Sequence, residues 1–457
     1  MSNLNPYEQY LLELINRARA NPTAEATRFG IDLNEGLSPG SISAAAKQPL
    51  AANDLLNAAA AGHSQWMLQA DVFSHTGRGG SSAGDRIEDA GYDEWRTWGE
   101  NISYRGGGDV RSRAVVENHH EGLFRSSGHR ENILNDRFSE IGLGQEYGEF
   151  RGFNASMLTQ NFASDRGDPF LLGVVFNDRD RDGFFDPGEE LPGVSVRAAG
   201  QGATATGAGG GYEMRVDDGA SFAVSFSGGR LAGPIWINSR IGDENVKLDL
   251  RVLLAPEAGG RVVGDGRNDR LIGQDGADNL AGLGGNDAIW GGGGGDQLWG
   301  GVGGDFLRGG AGGDRLGGGA GRDKLWGDGG NDIVAGGLDG DVIGGGSGSD
   351  RLLGGAGADR LGGGVGNDVV NGGLGRDVMA GGQGADRFVF SARTGDDVVL
   401  DFRTGEDELR IVSGAARFSD LDIRGTGSGA LVEFGDASVT LRGVAARTLD
   451  ADDFIFG

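Results

Sequence analysis

The sequence predicts a multidomain chain: a mixed helix-and-strand domain, a small β-sandwich, a parallel β-roll, and a β region after it. Three observations predict it. Helical apolar spacing is confined to about the first 165 residues. Short alternating strands between glycines fill about 170–255. From Gly264 an aspartate recurs every ninth residue without a slip. The boundaries read as 1–165, 166–256, 257–390 and 391–457.

Composition narrows the function. A net charge of -26 repels nucleic acid and anionic membrane and attracts divalent cations, calcium first among them. With no cysteine, neither disulfides nor thiolate metal sites can hold the fold. No stretch approaches the roughly 20 apolar residues of a membrane span, so no transmembrane segment is expected. The first residues, "MSNLNPYEQYLLELINRARANP", lack a basic region followed by an apolar one. Either the chain is cytosolic or it leaves by a route that reads another address.

In the first domain, "EQYLLELINRARA" places Leu11, Leu12, Leu14, Ile15 and Ala18 at helical spacing. "AANDLLNAAAAGHSQWMLQA" repeats the pattern behind Asn53, an N-cap residue type. His63, His119 and His120 read as helix-face residues. Further on come "FSHTG", "WGENI", "SSGHRENIL", "EIGLG" and "LTQNFA", in that order. Together with "LINRARANP" these segments resemble the bacterial branch of the CAP superfamily (cysteine-rich secretory, antigen 5, pathogenesis-related) over about residues 5–163. The resemblance implies an α-β-α sandwich. It also implies a cleft tetrad in which His75, Glu100 and His129 fill three places. The fourth is a helical glutamate, and Glu117 and Glu121, four apart on one face, both qualify. Two neutral imidazoles beside carboxylates suit Zn²⁺, and the alternative is that His75 and His129 are hydrogen-bonded structural residues. Functions of disulfide-rich relatives transfer poorly to a cysteine-free chain.

Enzyme motifs do not survive inspection. "HEGLF" carries Phe124 where a zinc-protease HExxH needs its second histidine. "GLSPG" spells G-x-S-x-G, but Pro39 has no N–H for an oxyanion hole and no strand precedes Ser38.

In the second domain, "DRDRDGFFDPGE" sets Asp178, Asp180, Asp182, Asp186 and Glu189 at the ligand positions of an EF-hand loop. Gly183 falls at the sharp turn and Phe184 offers its carbonyl. The flanks are β-like, so the loop is expected to hold structural Ca²⁺; a solvated acidic turn is the other reading. "GVVFNDRDRDGFFDPGEELPGVSV" resembles the start of SdrD/Cna B-type surface-protein sandwiches.

The nonapeptide array runs through Asp269, Asp278, Asp287, Asp296, Asp305, Asp314, Asp323, Asp332, Asp341, Asp350, Asp359, Asp368, Asp377 and Asp386. A glycine lies five residues before each and an apolar side chain two residues after. This GGxGxDxUx pattern is the signature of the RTX (hemolysin-type) calcium-binding right-handed parallel β-roll. Glycines permit the φ > 0 turns, the carboxylate is a hard ligand for Ca²⁺, and the apolar residue points inward. Two repeats make one coil, so 14 repeats predict about seven coils. One core side chain per nine residues is too few to offset the entropy of so many glycines. The metal must therefore contribute much of the folding free energy. Arg267 and Asp339 replace the fourth-position glycine, which weakens the expectation of calcium there.

The array, the "GADRFVFSARTGDDVVLDFRTGEDELRI" after it and the "DFIFG" end resemble the C-terminal region of serralysin-like RTX proteins, over roughly 260–457. That resemblance implies one-step export by type I secretion machinery reading an uncleaved C-terminal signal. The sequence thus points to a secreted, extracellular, noncatalytic calcium-binding protein whose CAP domain meets an unidentified ligand. A metal-dependent hydrolase using the CAP cleft, and a surface or matrix adhesion protein, are the alternatives.

Overall fold

The computed structural model describes residues 4–165, 167–231, 234–256 and 259–457, so the domain starts expected at 166 and 257 fall outside the described residues. The chain divides into two compact units, Met1–Arg251 and Val252–Gly457.

The first unit is built on a sheet in the order Ala51–Ala52, Glu140–Phe150, Phe153–Ser164, Thr97–Gly106. Alternation along its strands divides its two faces. Ile141, Leu143, Leu158 and Phe162 join the core of helices Pro6–Ala20 and Arg113–Arg125. On the opposite face helix Asp54–Ala70 lies so close that a Cβ at Gly142 or Gly144 would strike its backbone. Helix, sheet and helix thus form the expected three layers. Asn53 caps helix Asp54–Ala70, its Oδ1 accepting from the Leu55 and Leu56 amides. Arg19 ties the layers together. Fully buried, it donates to the carbonyls of Gln48, Ile133, Asn135 and Phe138 at 2.8–3.1 Å.

Residues 170–251 add two small sheets. Phe170–Asn177 pairs with Gly211–Arg215 and Val246–Lys247, and Ser195–Ala198 pairs with Gly202–Ala205 and Ser221–Ser227. Tyr212 of one sheet meets Phe226 of the other edge-on at 5.8 Å. Val174, Phe176 and Phe185, however, belong to the same core as Leu11 and Leu14. The sandwich therefore shares a core with the helical layer, and the two together make one unit.

Through the array of the second unit each strand pairs in parallel with the one two elements later, at an offset of 18 residues, as in Leu307↔Leu325↔Ile343. Two sheets result, and one buried residue per repeat, Leu271 through Phe388, forms the column between them. The stacking continues past the array. Asp396–Val399 and Ala437–Arg442 extend one sheet, while Glu408–Ile411 and Phe454–Phe456 extend the other. The solenoid has about 9 turns, not the seven that counting nonapeptides gives. Its final strands keep the inward apolar residue while abandoning the nine-residue period.

Candidate metal centres and cleft

The array aspartates form two columns, one on each edge of the roll. Each is 0–2% exposed. From Asp278 onward each uses one oxygen to hold the coil before it: the Asp305 amide donates to Asp323 Oδ1 at 2.8 Å, and the Asp323 amide donates to Asp341 Oδ1 at 2.9 Å. The other oxygen, Oδ2, is buried and without a hydrogen-bond partner in the 12 array aspartates from Asp287 to Asp386. A row of solvent-free carboxylate oxygens lacking donors is strongly unfavourable unless a cation faces it. Burial pushes Asp296, Asp323, Asp332 and Asp368 up to about 6, and Asp341 to about 7, with neighbouring carboxylates adding to the shift. Hard, anionic, oxygen-only donors fit calcium. The first two repeats differ. Asp269 Oδ2 accepts from the Asp265 amide at 2.8 Å and Asp278 Oδ2 from the Gln274 amide at 2.9 Å. Of the two irregular repeats, Asp339 keeps the left-handed turn at φ 71°, and Asp341 beside it retains its orphaned oxygen.

The acidic loop of the first unit brings together one oxygen each from Asp178, Asp180 and Asp182 within 4.8 Å of one another. Among the described residues this is the one triad of His, Asp or Glu so arranged. Gly183 sits at φ 80°, making the turn. Asp186 and Glu189 are drawn into other bonds. Asp186 pairs with Arg113, and Glu189 accepts from the amides of Arg179 at 2.6 Å and Asp186 at 3.1 Å. Burial raises Asp186 to about 6 and Glu189 to about 7. Asp178 pairs with Arg251 and retains one buried oxygen without a partner. The Phe184 ring faces Arg17, whose guanidinium lies 5.1 Å from its centroid.

The cleft residues divide into two groups. His75 Nδ1 and Glu100 Oε1 are 2.8 Å apart, and the second Glu100 oxygen takes Arg86. His129, on the short helix Ser127–Ile133, lies with its ring 6.5 Å from that of His75. Its Nδ1 is buried without a partner, and burial together with His75 lowers its pKa, which favours the neutral ring. Glu117 and Glu121 stand elsewhere. They line a cavity of about 460 Å³ with Tyr10, His120 and Phe184, which none of His75, Glu100 or His129 lines. Glu117 accepts from Tyr10 at 2.7 Å and Arg113 at 2.9 Å; Glu121 pairs with Arg125 at 2.7 Å. The other histidines are internal. His119 spans Ser103 and Ser156 at 2.9 and 3.0 Å, His120 meets Glu25 at 3.0 Å, and His63 meets the Ser74 carbonyl at 2.9 Å.

Against known proteins, residues 12–162 match the model of the cysteine-rich secretory protein family. Residues 12–162 are a CAP domain. Between residues 263 and 399 the chain matches the RTX calcium-binding nonapeptide repeat in overlapping stretches. The protein therefore joins a CAP domain to a calcium-binding RTX roll. It is similar, at 36% identity over 83 residues, to the uncharacterized membrane protein YlbC of Bacillus subtilis (strain 168). The match spans 18% of this chain and 22% of that protein's length. Among solved structures it is similar to an extracellular protein containing an SCP domain from Bacillus anthracis str. Ames, at 28% identity. That alignment covers 26% of this chain and 35% of the other, with a TM-score of 0.21. It is also similar to the AlgE6R3 subunit of the Azotobacter vinelandii mannuronan C5-epimerase, at 30% identity. Here the coverage is 26% and 78%, with a TM-score of 0.23. No helix among the described residues is long and apolar enough to cross a membrane.

Sequence reasoning missed Arg86 and Arg113, whose roles depend on contacts across the fold. It also missed Asp397 and Asp407, which continue the two aspartate columns. Both lie in a T-G-x-D-x-U stretch, "TGDDVV" and "TGEDEL", which keeps the array's G-x-D-x-U core without its period.

Proposed function

We propose that this is an exported, noncatalytic recognition protein whose RTX roll folds on calcium outside the cell. Its CAP domain then meets an extracellular ligand. The observation that carries the reading is the double row of buried, unpartnered Oδ2 atoms from Asp287 to Asp386. Calcium, when bound, supplies the counter-charge that lets those oxygens stay ionised side by side. The chain's own part is to hold each carboxylate through the preceding coil's amide and to keep water from it by stacking. In calcium-poor cytosol the carboxylates repel and the glycine-rich chain stays open, suited to passage through a type I secretion channel. In millimolar calcium the sites fill, because extracellular modules have dissociation constants of about 10⁻⁴–10⁻³ M. Circular dichroism of the full chain tests this: β signal should be low in EDTA and rise on adding calcium. Full β content in EDTA would sink the proposal.

Support for a noncatalytic cleft comes from Glu100, whose two oxygens are already engaged by His75 and by Arg86, the latter as an ion pair. One observation favours a second reading, a zinc-dependent hydrolase: the buried Nδ1 of His129 has no partner and could be a ligand. Metal analysis of the purified protein separates the two readings. Stoichiometric zinc that is lost in His129→Ala favours the hydrolase; zinc-free protein favours recognition. The acidic loop is proposed to hold structural calcium through Asp178, Asp180 and Asp182, with Phe184 offering its carbonyl.

A further inference from the structure

We infer that the calcium column on one edge of the roll runs one site past the nonapeptide array, to Asp397, whereas the column on the other edge ends at Asp386. The inference rests on the calcium-binding reading of the array. Asp397 lies 20 residues after Asp377, so it is out of phase with the repeat, yet it occupies the next place in the column.

Three observations coincide there. The Asp377 amide donates to Asp397 Oδ1 at 3.0 Å, as the Asp359 amide does to Asp377 Oδ1 at 2.9 Å. The turn that presents Asp397 is an array turn. Gly395, at φ 102°, bridges in parallel to Gly375 and lies over its carbonyl so closely that a Cβ would collide with it, as Gly375 lies over Gly357. Finally, Asp397 is 2% exposed and its Oδ2 is buried without a backbone donor, as in the 12 array aspartates before it; the Thr394 hydroxyl beside its carboxylate is the one feature the array lacks.

The other edge supplies the contrast. Asp407 takes the Asp386 amide at 3.0 Å, so by that bond alone it also continues a column. Its Oδ2, however, accepts from the Arg403 amide at 2.8 Å, and Gly405 of its turn has open space where its Cβ would stand. This is the state of Asp269 and Asp278, where a backbone amide takes the place a cation would fill. Two aspartates at similar stations thus receive opposite assignments.

The Asp397 site also ties two regions together. Its strand, Asp396–Val399, pairs with Val378–Gln383 of the last repeat on one side and with Ala437–Arg442 of the C-terminal hairpin on the other. An ion there fastens the hairpin to the roll.

Native mass spectrometry of the full chain at saturating calcium, with hydrogen exchange alongside, tests the assignment. Asp397→Asn keeps the Oδ1 acceptor and should carry one calcium fewer than wild type, with lost protection in 396–399 and 437–442. Asp407→Asn should carry the wild-type number. A wild-type count in Asp397→Asn, or the loss of one ion in both variants, overturns the inference. Wild-type protein carrying no calcium would instead overturn the underlying reading. Should Asp397→Asn fail to fold, the count is taken on Asp397→Ser, which also lacks the carboxylate: one ion fewer supports the site, and a wild-type count overturns it.

Discussion

Replacing Asp323 by asparagine asks whether the ions of the roll bind as one cooperative set. Asparagine preserves the Oδ1 that accepts from the Asp305 amide, but it puts an amide group where the unpartnered Oδ2 stands. Removing one partner of a buried ionic contact costs about 4 kcal/mol. If the 12 orphaned sites fill in a single transition, that loss is shared among them, and the calcium midpoint rises about 1.8-fold (about 1.4 kcal/mol per decade). If each coil binds alone, the mutated site weakens about 10³-fold and the rest stay put. The continuous core column from Leu271 to Phe388 and the coil-to-coil amide bonds favour the shared case. A calcium titration followed by circular dichroism at pH 7.5 should therefore show one transition, moved by roughly twofold. Two separate transitions, or a midpoint equal to wild type, would refute the reasoning.

Acid should act against intuition. Burial raises the folded-state values of array carboxylates such as Asp323, to about 6, and Asp341, to about 7, so their protonated forms stabilise the metal-free roll below about pH 4, and that contribution is lost as pH rises through 6 to 7. In EDTA the β signal should thus grow as pH falls from 7.5 to 5.5, whereas in calcium the midpoint should rise over the same interval as protons compete; opposite trends would contradict the raised values. Arg19→Ala leaves four buried carbonyls without their donor and should cost about 3–5 kcal/mol, seen as a fall of about 10 °C in the Tm of the first unit by calorimetry.

The roll was legible because its determinants are local and repeated. A glycine, an aspartate and an apolar residue at fixed places specify turn, ligand and core without any distant partner. The register of 18, the buried column and the two edges all follow from that. What escaped was the point where repetition stops, since "TGDDVV" holds Asp397 in place through backbone stacking that spacing alone does not reveal. The CAP motifs singled out His75, Glu100 and His129, and the structure brings these three near one another. They could not decide between Glu117 and Glu121. Both carboxylates turn to partners from other elements or other turns, Tyr10, Arg113 and Arg125, which no helical spacing relative to His75 encodes. The acidic loop was readable as a ligand string, but its contact with Arg113 belongs to tertiary structure alone.

The offset of 18 gives the roll an adjustable length. Inserting or deleting 18 residues adds or removes one whole coil, with every carboxylate still above its counterpart and the closing strands on the sheets they now occupy. A change of nine would be equally regular in sequence but would exchange the sheets that receive Asp396–Val399 and Glu408–Ile411, turning the terminal hairpin to the opposite side. The roll is thus a ruler graduated in whole coils, and only even numbers of repeats can be gained or lost without reversing what sits at its end.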